Sequence, residues 1–169
     1  MKKLLLAGIV ALSITTANAQ TPFTTTVDNN KVTILNGIVT KSDIATNAAF
    51  SNWYAGNQNS YKPDTSITNA MANTKDKVQY VVFGGTWCED TQFILPKFFK
   101  LQEQSTFPDA AISFFAVDRN KKTIGGIADA FKIINVPTII VMKDGKEIGR
   151  VVEYGKTGQW DKELMELLK

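Results

Sequence analysis

Residues 78–91, Val-Gln-Tyr-Val-Val-Phe-Gly-Gly-Thr-Trp-Cys-Glu-Asp-Thr, constrain this chain more than any other stretch. An almost continuous apolar run, 78–83, stops at Gly84 and Gly85. Such a run reads as a strand covered on both faces. Trp87 follows, then Cys88, the only cysteine of the chain, and residues 91–103 carry a helical pattern. Cys88 therefore stands where a strand passes to a helix N-terminus. Unpaired N–H groups and the positive end of the helix dipole favour an anion there. A thiolate is an anion.

The remaining pattern supplies a frame for that junction. Ser42 or Asp43 can cap a helix running to about residue 55, followed by a polar loop over 57–60. Asp64 caps a second helix with Ile67, Ala70 and Met71 on its buried side. Upstream, 32–35 and 38–39 read as a short edge strand or hairpin turning at Asn36-Gly37. Downstream of the junction helix come a strand over 111–117, a short helix over 124–131 and a strand over 139–142. Asp144-Gly145 turns into a returning strand over 147–152. The last helix carries Trp160, Leu164, Leu167 and Leu168 on one side. From residue 78 the order is β-α-β-α-β-β-α. The helical crossover makes the first two strands parallel, and the last two form an antiparallel hairpin.

Composition excludes several kinds of chemistry. There is no histidine, which rules out Ser–His and Cys–His catalysis. One cysteine without histidine argues against a zinc or copper site, and no cofactor is expected. Residues 1–19 read as a secretory signal peptide: Lys2-Lys3, an apolar run too short to span a bilayer, then Ala17-Asn18-Ala19. Without the two lysines the net charge falls from +3 to +1, so nucleic acid is not an expected partner. No cysteine follows the apolar run, so no membrane anchor is expected after cleavage. The mature chain is expected in the periplasm or outside the cell. Three segments result: signal 1–19, an N-terminal extension 20–77 with two helices packed on the main domain, and the main domain 78–169.

The element order and several separated motifs together resemble the thioredoxin fold over roughly 78–168. Trp87-Cys88 resembles the Trp-Cys that opens the thioredoxin redox motif. Pro96, eight residues beyond Cys88, falls where thioredoxins kink the active-site helix. Val136-Pro137-Thr138 resembles the cis-proline motif, and residues 143–146 resemble the turn of the closing hairpin. More narrowly, residues 85–91 are similar to the Gly-Thr-Trp-Cys-x-Asp-Ser/Thr pattern of a thioredoxin-like group of bacterial, often exported, proteins. The helical region with Tyr61 and Pro63 resembles that group's N-terminal addition. The implied fold is α/β, a thioredoxin-like central mixed sheet with an N-terminal helical extension.

Two departures limit what the resemblance implies. The family's second cysteine is here Thr91, and the buried acid six residues before the first cysteine is here Val82. A single thiolate can still attack a disulfide and form a mixed disulfide. Cys88 is therefore expected to act as a monothiol exchanger, with Thr91 donating hydrogen bonds to the sulfur. Glu89 and Asp90 oppose the thiolate by their charge. The resemblance implies that Val136, Pro137 and Thr138 bind an extended substrate backbone, with Trp87 on the apolar rim. Expected partners are thiols and disulfides of proteins or small molecules, and a second copy joined through Cys88. A lone cysteine is also commonly an inert buried hydrophobe. The alternative is a non-catalytic thioredoxin-fold module that binds partner proteins through the same groove.

Overall fold

The computed structural model describes residues 22–169; the expected signal segment, 1–19, lies outside them. Six strands form one sheet: β1 (Phe23–Val27), β2 (Thr33–Val39), β3 (Gln79–Gly84), β4 (Ile112–Ala116), β5 (Thr138–Lys143) and β6 (Lys146–Val152). Their spatial order is β1-β2-β4-β3-β5-β6. The pairing β3–β4 is parallel; the other four are antiparallel. The helices are α1 (Lys41–Ala45), α2 (Ser51–Ser60), α3 (Thr65–Thr74), α4 (Glu89–Gln104), α5 (Ile127–Ala130) and α6 (Trp160–Glu166). From β3 onward the order is the one expected. At the β5–β6 turn both Asp144 and Gly145 have positive φ, 51° and 72°, as a two-residue type I′ hairpin requires.

The alternation along β3 splits the interior in two. Tyr80 and Val82 face the larger core with Ile94 and Phe98 of α4, Tyr54 of α2, Met71 of α3 and Leu164 of α6. Phe83 faces a smaller cluster with Val117, Ala128, Val136 and Ile140, against which Trp87 and Cys88 pack. Successive side chains of a strand point to opposite faces, so one register places both sets. Residues before and after position 77 share the larger core. Val82, standing where the family carries its buried acid, is fully buried in that apolar cluster.

Four local expectations are corrected. The N-terminal hairpin does not turn at Asn36-Gly37, which lies inside β2. It turns at Asp28, whose Oδ1 accepts from the N–H groups of Asn30 and Val32. Gly37 is there because the Pro22 carbonyl crosses it: a Cβ would lie 2.4 Å from that oxygen. The single helix expected up to residue 55 is two. Thr40 caps α1 in a capping box with Asp43, and Asn47 then draws the N–H of Ala49 onto its own side chain and starts a turn. The polar run 57–60, read as a loop, completes α2. In the expected helix over 124–131, positive φ at Gly125 and Gly126 confines regular helix to α5.

Pro96 lies inside α4 and cannot donate to the carbonyl of Gln92. Asn57 of α2 replaces the missing donor: its Nδ2 donates to Gln92 O at 3.1 Å. The helix that carries the cysteine is thereby bound to the N-terminal helices.

Candidate functional site

The junction is assembled around its two glycines. A Cβ on Gly84 would stand 2.8 Å from Thr91 Cγ2, and one on Gly85 would stand 2.7 Å from the Trp87 ring. Neither approach is open to a residue with a side chain. Thr86 is 2% exposed. Its hydroxyl donates to Thr33 O at 3.0 Å and accepts from Leu35 N at 3.2 Å, tying the loop to β2. From the first turn of α4, Gln92 Nε2 donates to Thr86 O at 2.8 Å.

Trp87 is held by its indole N–H, which donates to Val117 O at 3.0 Å. The Arg119 guanidinium lies 5.3 Å and the Lys121 ammonium 6.0 Å from its ring centre. Arg119 is itself held by Asp28, to which its Nε donates at 2.8 Å. The Asp28 carboxyl is kept below its ordinary 3.8, first by the Val32 N–H and then by Arg119. The N-terminal hairpin thus reaches the site twice, through Thr86 and through Asp28.

Cys88 is half-buried and occupies the N-cap of α4. Its sulfur accepts no capping hydrogen bond from the helix. It donates instead to Val136 O at 3.1 Å. The Val136–Pro137 peptide is cis. The side chains of Val136, Pro137 and Thr138 are buried, and the Thr138 hydroxyl donates back to Asn135 O at 2.7 Å. What this turn presents to the cysteine is a carbonyl. Pro137 O in turn accepts from Glu153 N at 2.7 Å, which brings the end of β6 alongside.

Thr91 does not do what its position suggested. It is 1% exposed, and its hydroxyl accepts from the N–H of Gly85 at 3.2 Å. No hydrogen bond joins its side chain to Cys88 among the described residues. Its methyl fills the space left open by Gly84. The residue braces the junction from below.

Two side chains not singled out in the sequence stand on the opposite flank. Phe93 of α4 and Tyr154, two residues beyond β6, meet in a tilted pair with ring centres 5.7 Å apart. Partial burial, then the charge of Asp90, push the Tyr154 phenol above its ordinary value, and Cys88 and Glu89 contribute less. Phe93 was read only as one of many apolar residues on its helix. Tyr154 follows a strand with no periodic signal, so nothing local marks it. Two cavities, of about 420 and 290 Å³, lie elsewhere. The first is between α1 and β4; the second is behind the 132–138 turn, and neither is lined by Cys88. Among the described residues no cluster of acidic or cysteine side chains could hold a metal ion.

A sequence-family model described as Thioredoxin matches residues 40–166, including the N-terminal helices. Thioredoxin-1 of Saccharomyces cerevisiae is 32% identical over 92 residues, covering 54% of this chain and 82% of the yeast protein. Thioredoxin-2 of the same yeast is 36% identical over 91 residues, covering 54% and 81%. Among solved structures, a Pseudomonas aeruginosa protein of unknown function superposes with a TM-score of 0.52 at 16% identity. That match covers 76% of this chain and 89% of the other, and it speaks to the fold alone.

Proposed function

The chain belongs to the thioredoxin family, and from that membership we propose that it carries out monothiol thiol–disulfide exchange through Cys88. The observation that carries this reading is the position of one half-buried sulfur. It caps α4, rests on the Val136 carbonyl at 3.1 Å, and has a buried Thr91 where a resolving thiol would stand.

The exchange proceeds in two displacements. Cys88 Sγ loses its proton to solvent and attacks one sulfur of a substrate disulfide. An S–S bond forms to Cys88, the substrate S–S bond breaks, and the second substrate sulfur leaves as a thiolate that takes up a proton. Another thiol, from the same substrate or from a small external thiol, then attacks the mixed disulfide and releases Cys88. When the substrate supplies both thiols the outcome is isomerisation, with no net oxidation. Within the cycle Val136 O holds the resting S–H. Once the sulfur is engaged, that carbonyl is free to accept an N–H from the substrate backbone. Trp87 forms the fixed wall on one side. Thr91, Gly84 and Gly85 keep the helix end in place and take no part in bond making.

The sequence of residues 1–19 supports export, and the exchange then takes place in the periplasm or outside the cell, where disulfides persist. Residues 20–77 act with 78–169 as one unit, through Thr86 and the Asn57–Gln92 bond.

The test is refolding of a scrambled-disulfide protein in the presence of glutathione. The native chain is expected to accelerate recovery several-fold over buffer, and Cys88→Ser to leave it at the buffer rate. Equal rates for the two chains would replace exchange by the non-catalytic reading, in which the same groove only binds partners.

A further inference from the structure

We infer that Phe93 and Tyr154 form a docking ledge beside Cys88 for a polypeptide disulfide that carries an aromatic residue, and a basic residue beyond it, next to its cysteine. The inference rests on the exchange reading above and names its substrate class.

The placement of the ledge follows from the chain. Phe93 lies five residues beyond Cys88 on α4. Tyr154 follows Glu153, whose N–H donates to Pro137 O, while the preceding carbonyl, Val136 O, accepts the Cys88 S–H. Phe93 is thus about one and a half helical turns beyond the reacting sulfur, and Tyr154 is joined to it through two successive hydrogen bonds and lies close enough for Cys88 to act on its phenol. The rings stay 40% and 38% exposed although each is large enough to bury. They touch each other, with ring centres 5.7 Å apart and planes tilted by 48°, and the Lys97 ammonium, on a side chain only 7% exposed, lies over the Phe93 ring. An aromatic pair already in mutual contact loses little conformational freedom when a third ring is added.

Charge selects the occupant further. Asp90 and Glu89 act on the Tyr154 phenol from this flank, and neither forms an ion pair among the described residues. Two carboxylates without an ion pair disfavour an anionic disulfide such as oxidised glutathione and favour a cation beyond the ring. Of the nearby cations, Arg119 and Lys121 are on the other side, over Trp87, and Lys97 is taken up by the face of Phe93, so the two carboxylates are left to a cation of the substrate. An unfolded or extended polypeptide supplies an aromatic side chain and a Lys or Arg within one short segment.

The test measures the rate of mixed-disulfide formation at Cys88 by quenched mass spectrometry on the purified full chain. Three symmetric peptide disulfides are compared, with Arg-Phe, Glu-Phe or Ala-Ala preceding the cysteine. Hydroxyethyl disulfide, small and neutral, serves as reference. The Arg-Phe peptide is expected to react about tenfold faster than Ala-Ala, with Glu-Phe between them. In the Phe93→Ser/Tyr154→Ser variant that advantage falls below about twofold, while the reference rate stays unchanged. Equal rates for Arg-Phe and Ala-Ala, with the reference still reacting, would overturn the ledge and leave the exchange reading in place. Equal rates for Arg-Phe and Glu-Phe would remove the basic residue from the substrate class. Failure of all four disulfides to react would overturn both readings.

Discussion

The two flanks of Cys88 are built on opposite principles. On the Trp87 side, each polar group is tied to something distant in sequence: the indole to Val117, Arg119 to Asp28, Thr86 to Thr33 and Leu35. On the Tyr154 side, aromatic rings stay partly exposed, and the two carboxylates that act on Tyr154, Asp90 and Glu89, lack ionic partners among the described residues. Buried hydrogen bonds that lose a partner are costly, so the first flank cannot move without loss of stability. The second flank is held by ring contact and packing at the surface, so its residues can be exchanged at smaller cost. The first flank fixes where the sulfur is. The second is available to decide what reaches it.

Substitutions can break this comparison, beginning with the rigid side. Thr86→Val keeps the shape and removes the hydroxyl, leaving Thr33 O and Leu35 N without their partner. A loss of about 2–4 kcal/mol is expected from two orphaned groups, read as a lower urea midpoint. A loss below about 0.5 kcal/mol would mean that β2 does not hold the loop.

The brace on α4 is expected to matter somewhat less. Asn57→Ala removes the donor that compensates for Pro96, at a cost of about 1–2 kcal/mol. Pro96→Ala restores a backbone N–H opposite Gln92 O. In a double-mutant cycle the two changes should couple by about 1 kcal/mol, with the double variant more stable than the sum of the singles. Additive effects would show that Asn57 acts elsewhere.

The Asp28–Arg119 contact is exposed, so its effect is read on Trp87 rather than in global stability. The Asp28 carboxyl is depressed below 3.8, first by the Val32 N–H and then by Arg119. A depressed carboxylate contributes above its unfolded value, and the contribution is lost as pH falls through the lower folded value. Tryptophan emission should therefore be steady from neutral pH down to about 4 and change below it. Asp28→Asn should remove that part of the acid transition; an unchanged profile would detach the hairpin turn from the site.

The smallest stability effect is expected on the open flank. Phe93→Ser and Tyr154→Ser should each cost no more than about 1 kcal/mol in urea titrations, the order of one aromatic or cation–π contact. A larger loss would make the pair part of the core and erase the contrast between the flanks.

How far the sequence speaks depends on which interactions are local. The β3 run, the Asp144-Gly145 turn, the Asp64 cap and the parallel crossover follow from periodicity and turn chemistry within a few residues. The hairpin turn misled because Asn36-Gly37 has the composition of a tight turn, while Gly37 serves a close backbone crossing by Pro22. Thr91 misled for a similar reason. A threonine hydroxyl near a helix start can bond several neighbours, and the missing Cβ of Gly84 together with the N–H of Gly85 decide that it turns inward. Cys88 and Trp87 were legible because the junction is contiguous. Tyr154 was not, because its place beside α4 exists only after β3, β5 and β6 have paired.

The central claim is that Cys88 is a working nucleophile in the folded chain. Its most direct test is the reaction of the native protein with a peptide disulfide, followed by mass, beside an unstructured peptide bearing one cysteine. A single adduct on Cys88 is expected, forming at least as fast as on the free peptide and removed by added thiol. Modification of Cys88 only after urea unfolds the chain would contradict the claim and return the cysteine to the role of a buried side chain.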